Sequence, residues 1–230
     1  MKTIGLIGGM SWESSLEYYR LINEMVKKHL GEPHSCQCIM YSVDFADFEK
    51  MQHKGEWGKL TDLMVDIAKT LENAGADFTV ICANTMHKMS ERVEENIGIP
   101  LLHIADATAQ EIKAKGMDKV GLLGTKFTME EDFYKGRLKD KHGIDVVIPS
   151  RVERDTVHDI IYHELISGIK KEASRTKFIK IIDNLKEQGA QGVVLGCTEI
   201  PLLIKQKHSG IVVFDTTTIH AEKAVELALE

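Results

Sequence analysis

One segment of the sequence occurs in two similar copies, and this repeat is the main indication of the fold. The first copy reads Gly75-Ala76-Asp77-Phe78-Thr79-Val80-Ile81-Cys82-Ala83-Asn84-Thr85, and the second reads Gly189-Ala190-Gln191-Gly192-Val193-Val194-Leu195-Gly196-Cys197-Thr198-Glu199. The offset between the copies is 114 residues throughout. Each copy joins a glycine that ends a helix, an apolar strand, and a small polar cluster that opens the next helix. The repeat predicts two similar strand–helix units.

A second pair of similar segments supports this interpretation. Ile4-Gly5-Leu6-Ile7-Gly8-Gly9 matches Val120-Gly121-Leu122-Leu123-Gly124-Thr125 at an offset of 116 residues. Two matched pairs in the same order indicate two lobes related by pseudo-two-fold symmetry. The alternative explanation is that the matched segments are similar only because strand–helix units of α/β proteins resemble one another in general. We expect the first lobe to comprise residues 1–98 plus 210–230, and the second to comprise residues 99–209.

Short apolar runs alternate with helical periodicity along the chain, which is typical of an α/β fold with parallel sheets covered by helices on both faces. The predicted strands are Thr3–Ile7, Gln37–Val43, Phe78–Cys82, Pro100–His103, Val120–Leu123, Asp145–Ile148, Gly192–Leu195 and Ile211–Phe214. Ser14-Ser15-Leu16-Glu17 and Thr128-Met129-Glu130-Glu131 have the spacing of capping boxes and predict two helix starts. We expect those helices to end before Gly31 and near Gly143.

Composition excludes several classes of protein. The chain has 230 residues, of which 43% are hydrophobic and 28% charged, so it can bury a substantial core and is not disordered. The net charge of −6 leaves no basic stripe for nucleic acid. No apolar stretch approaches the roughly 18–20 residues of a membrane helix. The apolar run at the start leads into a glycine turn instead of a signal-peptide cleavage site, so we expect a cytoplasmic protein.

The cysteines and histidines do not form a recognisable metal or disulfide pattern. Cys36, Cys38, Cys82 and Cys197 are few and unevenly spaced, which disfavours a disulfide framework. Cys36-Gln37-Cys38 lacks a second pair at zinc-finger spacing. His158 and His163 are five residues apart, a spacing that does not align two ligands on one helix face. We expect no metal.

Four glycine or polar turns follow the predicted central strands. In open α/β sheets, ligands bind beyond the carboxyl ends of strands, where glycines and helix N-termini favour anions. These turns predict a site between the lobes for a small molecule that carries one or two carboxylates. Cys197 follows a buried strand and opens a helix, so we expect the helix dipole to lower the pKa of its thiol. The alternative for Cys197 is a buried cysteine that packs as a small hydrophobe.

Three motifs resemble those of the aspartate/glutamate/hydantoin racemase superfamily: Gly5-Leu6-Ile7-Gly8-Gly9-Met10, Cys82-Ala83-Asn84-Thr85-Met86-His87 and Gly196-Cys197-Thr198-Glu199-Ile200. Further segments resemble its broad-specificity amino-acid racemase branch, namely Trp12-Glu13-Ser14, Tyr18-Tyr19-Arg20, Ser42-Val43-Asp44-Phe45, His103-Ile104-Ala105-Asp106-Ala107-Thr108 and Phe214-Asp215-Thr216. The resemblance covers nearly the whole chain. It implies two pseudo-symmetric lobes, a site between them, a homodimer, and racemisation, without pyridoxal phosphate, of aspartate or glutamate or of a broader range of amino acids.

The resemblance also implies roles for individual residues. Two groups would face opposite sides of the substrate Cα, and Cys197 is one of them. Because no cofactor delocalises the charge of the carbanion, hydrogen bonds and helix dipoles must stabilise an enediolate. Asn84, Thr85, Thr198 and Glu199 are candidates to hold the α-carboxylate and α-amine. Met10, Gln52 and Thr125 would complete the pocket wall, although each could also be an ordinary turn or surface residue.

The sequence departs from the family pattern at Ala83. The family's first cysteine directly precedes Asn-Thr, and the repeat places that position opposite Cys197, but a methyl group cannot carry a proton. Some members of the family have threonine there, and Ala83 is either natural or an engineered inactivation. Cys82 is one residue earlier, so strand alternation predicts that its side chain points to the other face of the sheet. The alternative is that Cys82 replaces the missing base.

Three functional hypotheses follow from these residues. The first is an amino-acid racemase specialised or damaged at Ala83, and the retained family motifs favour it. The second is a single-cysteine enzyme similar to the arylmalonate decarboxylases of the superfamily, in which one thiol protonates a carbanion from one face. The third is a non-catalytic amino-acid-binding protein that uses the same cleft.

Overall fold

The computed structural model describes all 230 residues and contains two compact units. The first unit comprises Met1–His103 together with His220–Glu230, and the second comprises Ile104–Ile219. Each unit contains one four-stranded parallel sheet. None of the helices combines the length and the apolar character that crossing a membrane requires.

The first unit is built on the strand order β2-β1-β3-β4. Its strands are β1 (Ile4–Gly8), β2 (Cys38–Ser42), β3 (Phe78–Ile81) and β4 (Leu101–Leu102). Its helices are α1 (Trp12–Leu30), α2 (Phe45–His53), α3 (Trp57–Asn73) and α4 (Ser90–Glu94), with a 3₁₀ turn at Thr85–Met89 before α4.

The second unit is built on the strand order β6-β5-β7-β8. Its strands are β5 (Lys119–Gly124), β6 (Asp145–Val147), β7 (Gly192–Gly196) and β8 (Val212–Asp215). Its helices are α5 (Ile104–Ala114), α6 (Lys126–Glu130), α7 (Asp132–His142), α8 (Arg151–Ile160) and α9 (Glu172–Glu187). A final helix, α10 (Thr216–Leu229), begins in this unit, and its residues from His220 onward belong to the first.

The two sheets have the same strand order relative to their own chain order, and all eight predicted strands are present. The α/β fold class and the internal repeat are therefore confirmed. The order arises because each unit runs strand–helix–strand with parallel pairing, and each helix returns the chain to the same end of its sheet.

Two boundary expectations were wrong. The strand at Ile211–Phe214, which we expected to return to the first lobe, pairs with β7 as β8 of the second sheet. The segment after Gly98, which we expected in the second lobe, contributes β4 to the first sheet. The cause is the repeat itself, because each half needs a fourth strand beside its third. What returns to the first unit is the apolar face of α10, whose alanines and valine are buried against β1 and β3.

The two predicted capping boxes do not cap helices. Helix α1 begins at Trp12, and the Ser11 hydroxyl accepts a hydrogen bond from the Ser14 N–H at 3.3 Å. Helix α6 begins at Lys126, with Thr125 as its cap. The helices start earlier because each follows its glycine turn at once, and several hydroxyl residues in a row offer equivalent cap signals in the sequence. The end predicted for the first helix is correct, because α1 stops before Gly31. The second predicted helix is in fact two, α6 and α7, separated at the extended residue Glu131, and Gly143, with φ 63°, ends α7.

Alternate residues of β1 and β3 pack into two different cores. Ile7 and Ile81 face α3, in a cluster that also contains Ala83. Leu6 and Val80 face α1 and α10, in a cluster that also contains Cys82. Each buried aliphatic side chain contributes about 1.5–3 kcal/mol. This burial on both faces fixes the register of the strands and hence the position of the turns at their carboxyl ends.

Candidate functional site

The candidate site residues follow the two central strands of each sheet. In the first unit β1 and β3 are neighbours, with Ile7 opposite Ile81, so the turns that begin at Gly8 and Cys82 lie side by side. In the second unit Gly124 is opposite Gly196, and a Cβ at Gly124 would lie 2.7 Å from the Gly196 carbonyl oxygen. Only glycine permits that approach, so the strand ends bring Thr125 close to Cys197.

The first unit brings together several of the predicted residues. Met10 and Ala83 belong to one apolar cluster that also contains Met86. Gln52 is buried on α2, and its Nε2 donates a hydrogen bond to the Met86 sulfur at 3.1 Å. Asn84 is also buried, and Thr85 begins the 3₁₀ turn that follows it. Gln52 is therefore not an ordinary surface residue but lies beside the segment that follows Ala83.

The second unit places three predicted residues in direct contact. The Cys197 thiol donates a hydrogen bond to Oε2 of Glu199 at 2.9 Å. The Thr198 hydroxyl donates to the same oxygen at 2.7 Å. Thr125 is buried, caps α6, and shares a hydrogen bond with the Thr128 hydroxyl at 3.2 Å. Glu199 thus orients both the thiol and the neighbouring hydroxyl.

The expected lowering of the Cys197 pKa is wrong. Burial raises the pKa of this thiol well above its ordinary value, and the adjacent Glu199 carboxylate raises it further because a thiolate would face a like charge. Hydrogen bonds from the backbone N–H groups of Glu199 and Ile200 act in the opposite direction but are smaller effects. The helix that follows is only the 3₁₀ turn Ile200–Leu202, so it supplies little dipole.

Cys82 and Ala83 face opposite sides of the first sheet. Cys82 is fully buried between β3, α1 and α10, whereas Ala83 lies in the cluster on the α3 side. Burial raises the pKa of the Cys82 thiol far above its ordinary value. Cys82 therefore packs as a core residue, and Ala83 is the residue of the first copy of the repeat that corresponds to Cys197 in the second copy.

The roles of Ser14 and His87 were missed by sequence reasoning. The Ser14 hydroxyl lies between the turns after β1 and β3, within hydrogen-bond distance of the carbonyls of Ser11 and Cys82. His87 contacts the Ala83 carbonyl through Nδ1. The available signal was their place inside segments that resemble the racemase motifs, but sequence alone does not say which hydroxyl caps a helix and which links two turns.

Histidine, cysteine, aspartate and glutamate side chains nowhere gather in groups of three or more that could hold a metal ion. The four cysteines are all free thiols. Cys197 and Cys82 are buried, whereas Cys36 and Cys38 are half-buried beside α1.

Comparisons with known proteins agree on one family. Residues 7–224 match the family model described as Asp/Glu/Hydantoin racemase. The broad specificity amino-acid racemase RacX of Bacillus subtilis is 25% identical over 98% of both chains. A crystal structure from Yersinia pestis, provisionally described as an Asp/Glu racemase, is 52% identical with a TM-score of 0.95 and full coverage of both chains. An aspartate racemase homologue from Pyrococcus horikoshii is 38% identical with a TM-score of 0.87, also with full coverage of both chains.

Proposed function

Because this chain belongs to the Asp/Glu/hydantoin racemase family, we propose that it is an amino-acid racemase that works without a cofactor. Family membership indicates an isomerase, and the relatives that are similar over their full length carry aspartate, glutamate or broad-specificity racemase names. The observation that carries the proposal is the Cys197 thiol, which is hydrogen-bonded to Glu199 in the turn that the family motif occupies. Acidic amino acids are the first class of substrate to test.

The chemistry begins at the Cys197 sulfur. Because burial and Glu199 keep this thiol protonated, it needs a compensating positive charge to ionise, and the α-ammonium of an amino acid supplies one. On ionisation the thiol proton passes to the Glu199 carboxylate, which already accepts its hydrogen bond. The thiolate then takes the proton from Cα, and the electron pair of the C–H bond moves into the substrate carboxylate to give an enediolate. Return of a proton to the opposite face of Cα completes the inversion and regenerates the carboxylate.

Recognition of the substrate rests on the polar side chains of the turns. Asn84 and Thr85 in the first unit offer donors for a carboxylate, and Glu199 offers an acceptor for the α-ammonium. The Thr198 hydroxyl holds the Glu199 carboxylate in place, because its one hydrogen already donates to that group. Met10, Gln52 and Thr125 form the walls around these groups, as the family resemblance implies. Hydrogen bonds that strengthen as the carboxylate becomes an enediolate lower the barrier.

On the second face of Cα, residue 83 does not supply a side chain that can carry a proton. Ala83 holds no proton there, and Cys82 points into the core. This one observation favours a second candidate function, a single-thiol enzyme in which Cys197 exchanges or delivers one proton from one face, as in a decarboxylase. In the racemase, the second proton must come from a group other than the side chain of residue 83.

Incubation of single enantiomers of aspartate and glutamate in deuterated water tests the proposal. Formation of the opposite enantiomer with deuterium at Cα supports the racemase. Stereospecific exchange without inversion, or release of carbon dioxide from a malonate, supports the single-thiol enzyme. Binding without exchange would leave only an amino-acid-binding protein and would overturn both enzymatic functions.

We also propose that catalysis needs neither pyridoxal phosphate nor a metal. The support is the acid–base pair of Cys197 and Glu199, which supplies proton transfer from side chains alone. Activity should survive dialysis against a chelator and treatment with hydroxylamine. Loss of activity that is restored by adding pyridoxal phosphate or a divalent metal would contradict this part of the proposal.

We further propose that the protein is a cytoplasmic homodimer. Support for the dimer is an apolar face on α1 and the edge strand β2, formed by Trp12, Leu16, Tyr19 and Met40, which are 63%, 56%, 48% and 37% exposed. They surround a groove of about 520 Å³ that no charged residue lines. The face offers on the order of 400 Å² of apolar area, about half of what one partner of a stable interface buries. A second copy would present the same face, which suits a two-fold contact.

Sedimentation velocity of Leu16→Glu tests this surface, with Val152→Glu as the matched control on an exposed residue of the second unit. The first variant should be monomeric and the control dimeric. Cys36 and Cys38 line the same groove, so their alkylation should slow as the concentration rises through the dimer range. A dimeric Leu16→Glu would remove this face from the interface. Fractionation of cells should recover the protein in the soluble cytoplasmic fraction.

A further inference from the structure

A buried hydroxyl links the two turns of the first unit. Ser14 lies in the first turn of α1, and its Oγ is 2.9 Å from the Ser11 carbonyl oxygen and 3.0 Å from that of Cys82. Its single hydrogen can donate to either oxygen or be shared between them. Ser15, the next residue, accepts from the Gly9 N–H at 2.7 Å. Helix α1 therefore fixes the turns after β1 and β3 relative to one another.

A histidine holds the next carbonyl along the chain. His87 is buried, and its Nδ1 is 2.8 Å from the Ala83 carbonyl oxygen. Because a carbonyl oxygen only accepts hydrogen bonds, Nδ1 must carry the hydrogen. Ser14 and His87 thus bind two successive carbonyls, those of Cys82 and Ala83.

The ring of His87 packs against two other buried histidine rings, those of His103 and His220. Its centroid lies 4.6 Å from the His103 ring and 5.7 Å from the His220 ring. Nε2 of His220 donates to the Leu102 carbonyl at 2.8 Å, so its Nδ1 accepts the hydrogen bond from the Tyr18 hydroxyl, also at 2.8 Å. Burial lowers the pKa of His220 to about 4, which keeps the His220 ring uncharged near neutral pH.

These two contacts determine where the neighbouring N–H groups point. The peptide bonds that follow Cys82 and Ala83 are trans, because the only cis bonds in the chain are Met10–Ser11 and Glu32–Pro33. In a trans peptide, the N–H is directed opposite to the C=O of the preceding residue. The N–H groups of Ala83 and Asn84 therefore point away from Ser14 and His87, respectively. The N–H of Ala83 donates a hydrogen bond to no other group of the chain.

We propose that Ser14 and His87 are positioning residues that hold the Cys82 and Ala83 carbonyls and thereby direct the N–H groups of Ala83 and Asn84 to the substrate carboxylate. This inference rests on the proposed racemase function for the identity of the ligand. The two N–H groups form an anion-binding pair that gains strength as the carboxylate becomes an enediolate. Residue 83 thus contributes its backbone to the reaction although its side chain carries no proton.

Steady-state kinetics of paired variants test the positioning role. Ser14→Ala and His87→Leu should lower kcat/KM by about 10²-fold, mainly through kcat. Ser14→Thr keeps a hydroxyl, and His87→Asn places an amide N–H near the position of Nδ1, so both should recover most of the activity. His87→Gln, whose amide reaches the position of Nε2, should not. Tyr134→Phe, which removes a buried hydroxyl of the second unit, is the control for lost stability alone.

Amide NMR of the same variants tests the geometry without any activity. Ser14→Ala should shift the Ala83 amide resonance, and His87→Leu should shift that of Asn84, because each loses the hydrogen bond on the preceding carbonyl. Addition of succinate, a dicarboxylate probe, should shift both amides in the native chain and neither in the double variant. Unshifted amides, or Asn and Gln variants of equal activity, would overturn the positioning role. A native chain whose amides shift with succinate but which converts no amino acid would overturn only the racemase proposal.

Discussion

The turns after β3 and β7 occupy the same place in two sheets of the same strand order, but they differ in chemistry. After β7, the Cys197 thiol donates a hydrogen bond to Oε2 of Glu199 at 2.9 Å and can exchange a proton. After β3, Ala83 offers a methyl group, and the nearest thiol, Cys82, packs into the core. The first unit instead holds the backbone of its turn through Ser14 and His87.

These two turns show that the topology of a sheet and the proton chemistry at its edge are specified by different residues. The strand order and the glycine turns place one residue at the carboxyl end of the third strand of each sheet, and they do so whichever amino acid stands there. Acid–base chemistry depends on the side chain at that place and on its charged neighbours. In the proposed racemase, the second unit supplies the proton carrier, and the first supplies the anion site.

The largest effect is expected from Cys197→Ser, because it removes the thiol that exchanges the Cα proton. Exchange and turnover should fall by about 10⁴-fold, at the upper end of what general acid–base catalysis contributes. Cys82→Ser is the matched control, since its hydroxyl would lie in the core of the first unit. Deuterium exchange measured by mass spectrometry checks both variants, and native-like exchange in Cys197→Ser would remove this residue from the mechanism. Bound substrate should also protect Cys197, but not Cys36 or Cys38, from alkylation.

Ala83→Cys is designed to erase the difference between the two turns. A thiol at this position should raise the rate of racemisation by about 10²–10⁴-fold, mainly in kcat, because the contacts that bind the carboxylate and amine are untouched. Ala83→Thr should give a smaller rise. Exchange from the enantiomer that faces Cys197 should already occur in the native chain. If Ala83→Cys changes neither rate while Cys82→Ala abolishes both, then Cys82 is the second base.

The buried His220 ring, which packs against His87, predicts a loss of stability in acid. The folded-state pKa of His220 is about 4, whereas an unfolded histidine titrates near 6.5. Above pH 6.5 neither state binds the proton, and as the pH falls towards 4 only the unfolded state does. Protonation of His220 in the unfolded state should therefore lower the free energy of unfolding by about 3 kcal/mol as the pH falls from 6.5 to 4. Urea unfolding at several pH values measures the slope, and a His220→Gln variant should lack this component.

The smallest effect is expected from Glu199→Gln, which tests what the carboxylate does to the Cys197 thiol in the second turn. Replacing the carboxylate by a neutral amide removes a charge that raises the pKa of the Cys197 thiol. The midpoint of the alkylation profile of Cys197 should therefore move to lower pH, so that a larger fraction of the thiol is ionised and reacts at a fixed pH. A midpoint that moves upward would show that Glu199 stabilises the thiolate.

Much of the fold could be predicted because apolar patterning and glycine spacing are local signals. The eight strands and the repeat follow from runs such as Phe78–Cys82 and Gly192–Leu195. The place of β8 could not be predicted from its own residues, because a buried strand looks the same in either sheet. The starts of α1 and α6 were missed because Ser11 and Thr125 compete with nearby hydroxyls for the cap.

The candidate site was predictable only in part. Strand alternation correctly separates the Cys82 and Ala83 side chains to opposite faces of the sheet. The pKa of Cys197 was predicted in the wrong direction, since it depends on burial and on how closely Glu199 approaches, and neither is visible in the sequence. The link that Ser14 makes between two turns joins residues far apart in the chain, so no local pattern could indicate it.

The unequal turns on two equal sheets have a thermodynamic consequence. Enantiomers have the same free energy in water, so the equilibrium constant of any racemisation is one, even when the two sides of the catalyst differ in chemistry. The proposed enzyme can therefore not favour one product at equilibrium, but it can bind one enantiomer more tightly. The Haldane relation then requires equal kcat/KM values in the two directions, so tighter binding of one enantiomer must be matched by its slower turnover. Duplication with divergence at residues 83 and 197 would thus set which enantiomer saturates the protein first, and leave the final mixture unchanged.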